Sequence, residues 1–282
     1  RSLYNKYLQN KQDLALLSDQ MISVKQDISD RKGSDLSSAD LISDILQINN
    51  NFFIELEEIA TKASEAIDMT LGHRLKSMIL YLKDSFAISV EFAEEGFKES
   101  FSKIYYKDKK LLKISNTLSR ESKEFMIAQQ IGLLLGSNAI DRQLKLNGVS
   151  SNNGLALGRT VLANYFASAL LMPYDLFWEI AEKSRYDIDI LCNRFDTSFE
   201  QVCHRLTTLQ KDKKKGIPFH FMRVDIAGNV SKRFSISGLK IPRYSVACPR
   251  WNIYTAFLNP GKIKIQLSKM MDGSTFVCLA RT

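Results

Sequence analysis

The hydrophobic pattern of the first thirty residues has a period of seven. Tyr7, Leu14, Met21 and Ile28 recur at one position, Leu3, Leu17 and Val24 at another, and Asn10 interrupts the series. So narrow a stripe on a helix is most readily buried against a like stripe. The spacing therefore predicts a long N-terminal dimerisation helix, with an amphipathic helix lying on its own domain as the alternative. Arg31-Lys32-Gly33-Ser34-Asp35 ends it, and Ser37 or Ser38 caps a second helix. Leu41, Ile45, Ile48, Phe52, Leu56, Ile59 and Ala63 mark one apolar face of that second helix to about residue 67, and a third helix covers roughly 70–84.

From residue 86 the period drops to two. Phe86, Ile88, Val90 and Phe92 alternate as in a half-buried strand, and 100–106 and 111–115 flank the turn Lys107-Asp108-Lys109-Lys110 as a hairpin. Helical spacing returns at 119–136 and 157–172, separated by a polar loop at Asn147-Gly148 and 150–154. Pro173 stops the second of these. Further helices are expected at 174–184, 187–195 and 198–210, the last opened by a capping box of Thr197 with Glu200 or Ser198 with Gln201. The run Lys211-Asp212-Lys213-Lys214-Lys215-Gly216 reads as a linker. Beyond it, strands are expected at 218–225 and 229–235, a short helix at 250–258, and strands at 262–268 and 275–281. The whole reads as α+β and predominantly helical: a dimer helix at 1–35, a helical domain at 36–212, and a C-terminal antiparallel-sheet module at 213–282.

Composition changes this picture little. The chain has 282 residues, 45% of them hydrophobic, and a net charge of +8. That charge permits a polyanionic partner without requiring one. No apolar run is read as long enough to cross a bilayer, so no membrane partner is expected. Arg1 stands where Met would begin a chain, which suggests a piece of something longer. The polar start is not a signal peptide and the four cysteines form no C-x-x-C pair, which points to a reduced, cytoplasmic protein.

Two strings, Phe125-Met126-Ile127-Ala128-Gln129-Gln130-Ile131-Gly132-Leu133-Leu134 and Ala163-Asn164-Tyr165-Phe166-Ala167-Ser168-Ala169-Leu170-Leu171-Met172-Pro173, resemble the ImmA/IrrE metallopeptidase-like family. Active members carry H-E-x-x-H in the first string, two zinc-binding histidines flanking a general base. Here Gln129, Gln130 and Leu133 stand at those three positions. A third, carboxylate ligand is expected just before Ala163, where the chain has Thr160-Val161-Leu162. Its only histidines, His73, His204 and His220, are far apart in sequence. No catalytic residue and no enzyme activity are expected; an active zinc peptidase is the disfavoured alternative.

Further strings, among them Arg185-Tyr186-Asp187, Ser198-Phe199-Glu200-Gln201-Val202-Cys203-His204-Arg205-Leu206, Gly216-Ile217-Pro218-Phe219, the run from Arg223 through Arg233, and Cys248-Pro249-Arg250-Trp251, resemble the short-chain fatty acyl transcriptional regulators. The resemblance implies an XRE-type helix-turn-helix ahead of the linker helix, a peptidase-like domain without catalysis, and control of propionate, acetate or glyoxylate genes through a short acyl-CoA. DNA contact would then fall to an N-terminal domain absent from this chain, and the partners would be acyl-CoA and a second copy in a homodimer.

Arg223, Lys232 and Arg233, with Gly228, Asn229 and Ser231 at or near the turn between them, are candidates for the coenzyme phosphates. A solvated, edge-protecting role for these charges is the plainer reading. Tyr165, Phe166 and Trp251 are candidates for the acyl end, though such aromatics are more often core. The resemblance also raises an iron–sulfur redox sensor, with Cys192, Cys203 and Cys248 as ligands, but their spacings match no standard cluster motif. A second helix-turn-helix at 187–209 is disfavoured, because Phe199, Glu200 and Val202 stand where a recognition helix wants basic residues.

Overall fold

The computed structural model describes residues 38–93, 101–235, 250–270 and 273–282. The heptad stripe of residues 1–35 and Cys248 lie outside them. The chain divides into two units, Arg1–Ile217 and Pro218–Thr282.

Unit one is helical around one small sheet. Its order is α1 Ser38–Ile48, α2 Ile54–Ala66, α3 Arg74–Phe86, β1 Ser89–Ala93, β2 Lys103–Tyr106, β3 Leu111–Ser115, α4 Arg120–Leu135, α5 Ser137–Leu146, α6 Asn152–Leu171, α7 Tyr174–Lys183, α8 Ile188–Phe195 and α9 Phe199–Leu206. The strand order is β1-β3-β2. β2 and β3 form the expected hairpin, with Lys103 opposite Ile114. β1 runs parallel to β3, placing Val90 beside Leu112 and Phe92 beside Ile114.

α6 is the axis of this unit. From Leu162 to Leu171 nine of its residues are buried, on every side of the helix, the pattern of a helix enclosed by others. One core joins Ala60, Met78, Leu82, Leu112, Ile127, Ile131, Phe166 and Leu170. A second joins Ile42, Phe53, Leu56, Ile140, Leu144, Leu162 and Tyr165. Two glycines permit the close approach: a Cβ on Gly132 of α4 would lie 2.7 Å from the Phe166 ring, and one on Gly158 would lie 2.4 Å from Leu144.

Three expectations are corrected here. The second helix is broken into α1 and α2, because Asn50 and Asn51 take left-handed backbone angles. α5 was not foreseen, and α6 begins inside the expected polar loop, capped by Ser151. And α6, with 20 residues and mean hydropathy 1.2, is long and apolar enough to cross a bilayer, although 61% of that stretch is buried within the fold. The Lys-rich linker is itself clamped to α7. Tyr174 Oη accepts from the Lys211 N–H at 2.8 Å and donates to the Lys214 carbonyl at 3.0 Å, while the Trp178 indole donates to the Lys215 carbonyl at 3.2 Å.

Unit two carries two two-stranded antiparallel sheets, β4 His220–Val224 with β5 Val230–Ser235 and β6 Lys264–Lys269 with β7 Thr275–Ala280, and a short helix α10, Ile253–Phe257. Asn252 ties the helix to the second sheet: its side-chain amide donates to the Lys264 and Cys278 carbonyls at 2.8 and 2.9 Å.

Candidate functional site

The four positions of the peptidase motif lie on α4 and α6, the best-packed helix pair of unit one. Ser119 caps α4 by accepting from the Ser122 N–H, and the ten residues to Gln129 bring Gln129 and Gln130 against α6 and the sheet. Both are nearly enclosed, at 6% and 3% exposure. Gln129 Nε2 donates to Asn164 Oδ1 of α6 at 2.6 Å. Gln130 Oε1 accepts from Lys103 Nζ of β2 at 3.2 Å. Thr160 spends its hydroxyl on the Ala156 carbonyl at 3.0 Å.

These residues do not fit zinc. The donors are neutral amides already paired, Leu133 offers nothing, and Thr160, Val161 and Leu162 bring no carboxylate. Burial pulls the Lys103 amine down to about 8. Sequence reasoning missed Lys103; its alternation with Tyr105 on a hairpin strand was the available signal.

Beneath the motif lies a polar network that sequence reasoning also missed. Arg205 of α9, fully buried, grips Glu57 of α2 through two nitrogens at 2.6 and 2.9 Å. It also donates to the Met172 carbonyl at 3.0 Å and to Thr208 Oγ1 at 3.0 Å. Tyr165 Oη donates to Glu57 Oε1 at 2.6 Å and accepts from the Phe53 N–H at 3.2 Å. Burial first, and the Glu57 charge second, raise the Tyr165 phenol well above its usual value. Tyr165 is thus a buried residue with its hydroxyl committed to Glu57 and Phe53 and its ring edge-on to Phe53. A second buried pair, Arg74 with Glu124, links α3 to α4 and reaches the Phe195 carbonyl at 2.8 Å.

In unit two, Arg223 and Lys232 are direct cross-strand partners and both exposed. The register shifts just after them, leaving Ser231 as the extra residue, and its hydroxyl donates to the Arg223 carbonyl at 3.2 Å. Arg233 pairs with Met222 in the ladder. The turn between them is closed on Asp225. The Asn229 N–H and side-chain amide bind the Asp225 carboxylate at 2.9 and 2.8 Å, and the Gly228 N–H donates to the Asp225 carbonyl at 3.0 Å. Those donors hold the Asp225 carboxyl below its usual value, the Asn229 side chain foremost. Trp251 is half-buried in the same unit.

Cys192 on α8 and Cys203 on α9 are half-buried. Cys248, the third residue named for a cluster, lies outside the described residues; among those described, no group of three or more His, Cys, Asp or Glu is placed to hold a metal ion. In α8 and α9, Ile188, Leu191, Phe195, Val202 and Leu206 face inward, as packing elements do.

Residues 84–207 match the family model described as IrrE N-terminal-like domain, and residues 208–282 match that described as short-chain fatty acyl coenzyme A regulator, C-terminal. The chain is 35% identical to the HTH-type transcriptional regulator PrpR of Mycobacterium tuberculosis over 86% of its own length and 49% of the relative's. It is 41% identical to RamB of the same organism, over 61% of this chain and 36% of that one. A propionyl-CoA carboxylase regulator of Cereibacter sphaeroides is 38% identical over 60% and 37%. The chain thus spans half or less of the length of these curated relatives. A solved structure of a Mycobacterium tuberculosis transcriptional regulator superposes with a TM-score of 0.81 at 34% identity, covering 87% of this chain and 74% of that one.

Proposed function

The chain belongs to the short-chain fatty acyl coenzyme A regulator family, and on that footing we propose that it is the effector-sensing and dimerising part of a bacterial transcriptional regulator, responding to a short-chain acyl-CoA and cleaving nothing. The relatives named as transcriptional regulators support the regulatory half of this reading. The relative named for propionyl-CoA carboxylase and the matched C-terminal family support the effector class.

The observation that carries it is the state of the peptidase motif. A core that keeps the α4–α6 packing while filling the metal positions with paired amides has kept its shape and given up its chemistry. Such a scaffold is retained for binding. In unit two, Arg223 and Lys232 are cross-strand partners, two exposed cations that suit a coenzyme phosphate, with Trp251 as a surface for the organic part. Binding then shifts the equilibrium between arrangements of a homodimer and so of its DNA-binding domains.

Calorimetric titration with acetyl-, propionyl- and free coenzyme A tests this. The reading expects saturable binding of the acyl esters. Replacing both Arg223 and Lys232 by Ala should weaken that binding about tenfold or more, each charge-assisted contact being worth about 1.5–3 kcal/mol. Silence from all three ligands removes the effector claim.

A further inference from the structure

The outer face of the β6–β7 hairpin is apolar where a solvated sheet is polar. Along β6 the side chains alternate, and the half-buried ones are Lys264, Gln266 and Ser268. Gln266 faces inward, accepting from the Asn252 N–H at 2.7 Å and donating to the Arg250 carbonyl at 3.0 Å. Asn252 in turn holds the carbonyls of Lys264 and Cys278, one on each strand. Those bonds pin the register, and a slip of one residue would turn every side chain over. Ile265 and Leu267 therefore stand on the outer face, opposite Leu279 and Val277 of β7. The four are between 44% and 71% exposed.

A single exposed leucine needs no explanation, whereas a contiguous aliphatic block does. Cross-strand neighbours on one face lie about 5 Å apart, so these four form one patch. Its chemistry points to what covers it. The centre holds no aromatic ring, no charge and no hydrogen-bonding side chain, which is the composition of a homodimer interface rather than of a transient contact. Lys269 and Thr275, paired in the ladder and exposed, close the patch at its turn end as a polar rim. An identical face can lie on this one as the two sheets of a sandwich do, about 10 Å apart. Two copies of the patch with its rim remove on the order of 1,000 Å² from water, the least that a specific interface needs.

We propose that the outer face of the β6–β7 hairpin is a self-association surface, on which the same face of a second copy packs about a two-fold axis. The inference rests on the homodimer reading above and gives it an interface. A two-fold contact is isologous, so one self-complementary patch serves both copies. The aliphatic pairs of one hairpin lie against those of the other, while both Lys269 side chains stay in the solvated rim. The contact belongs to unit two, so pairing through it does not depend on the heptad stripe of residues 1–35.

Sedimentation velocity of the full chain over a concentration series tests this, with Leu267→Glu, Val277→Glu and Leu146→Glu alongside. Leu146 is an exposed leucine of unit one and serves as the control. The wild type should assemble, each hairpin variant should weaken that assembly by about tenfold or more, and Leu146→Glu should leave it unchanged. Circular dichroism checks that the variants fold. A Leu267→Cys chain treated with a bis-maleimide about 10 Å long, the spacing of packed sheets, should give covalent dimers well above those of the wild type with its native cysteines. Absence of that cross-link, or assembly indifferent to both glutamates, overturns the proposal and leaves the homodimer reading standing. In that event a lowered melting temperature assigns the face to cover by the chain itself, and an unchanged one to a different protein. A wild type that stays monomeric throughout overturns both.

Discussion

Glu57 and Arg205 lie 148 positions apart in the chain and meet in the core as a bidentate pair. Its members are 8% and 0% exposed. Removing one partner strands the other charge away from water, which costs about 3–5 kcal/mol. Arg205→Met should therefore lower the denaturation midpoint sharply, while Glu57→Leu combined with Arg205→Met should cost much less than the two single changes summed. Chemical denaturation of the three variants measures this. Lys103 behaves in the opposite sense. Its folded value of about 8 lies below its ordinary 10.5, so between those limits the unfolded chain binds more protons and native stability rises with pH. Below about 8 the folded state carries a charged, dehydrated amine at full cost. Lys103→Met should stabilise the chain at neutral pH by about 1 kcal/mol, and that advantage should shrink as pH climbs toward 10.5 in denaturation curves at stepped pH.

Among elements, those read well from the sequence were those whose signal is local. The Ser198–Gln201 capping box is present with both of its hydrogen bonds, at 3.2 and 2.9 Å; Ser198→Ala should cost about 1 kcal/mol of stability. The β2–β3 hairpin, the helix ending before Pro173 and the four strands of unit two also fell where alternation and turn residues put them. What failed was set by long-range packing. The apolar stripe of Leu41 through Ala63 is continuous, so nothing in its spacing marks the corner at Asn49-Asn50-Asn51. That corner is held from far away, by the Asn51 amide donating to Thr207 Oγ1 at 2.9 Å and the Phe53 N–H to Tyr165. Because Asn50 is exposed with φ of 50°, Asn50→Val should cost about 1–2 kcal/mol, whereas Asn50→Gly should be neutral or better; thermal melts separate the two.

At the scale of the whole molecule, the change in the motif was legible from residue identity alone: Gln129, Gln130 and Leu133 stand where active members carry two histidines and a glutamate. What replaced it was not legible. The Lys103–Gln130 contact and the Gln129–Asn164 bond depend on how β2 and α6 are set against α4, and no spacing along the chain encodes that. The turn at Gly228-Asn229 was legible as one that suits an anion, but not that Asn229 binds the chain's own Asp225.

The account stands on a peptidase scaffold that binds and signals without hydrolysis. The direct measurement is a peptide-cleavage assay on the purified chain with zinc supplied, run with and without a chelator. The account predicts cleavage no faster than the buffer blank and no response to the chelator. Cleavage that the chelator stops, and that Gln130→Ala abolishes, would contradict it.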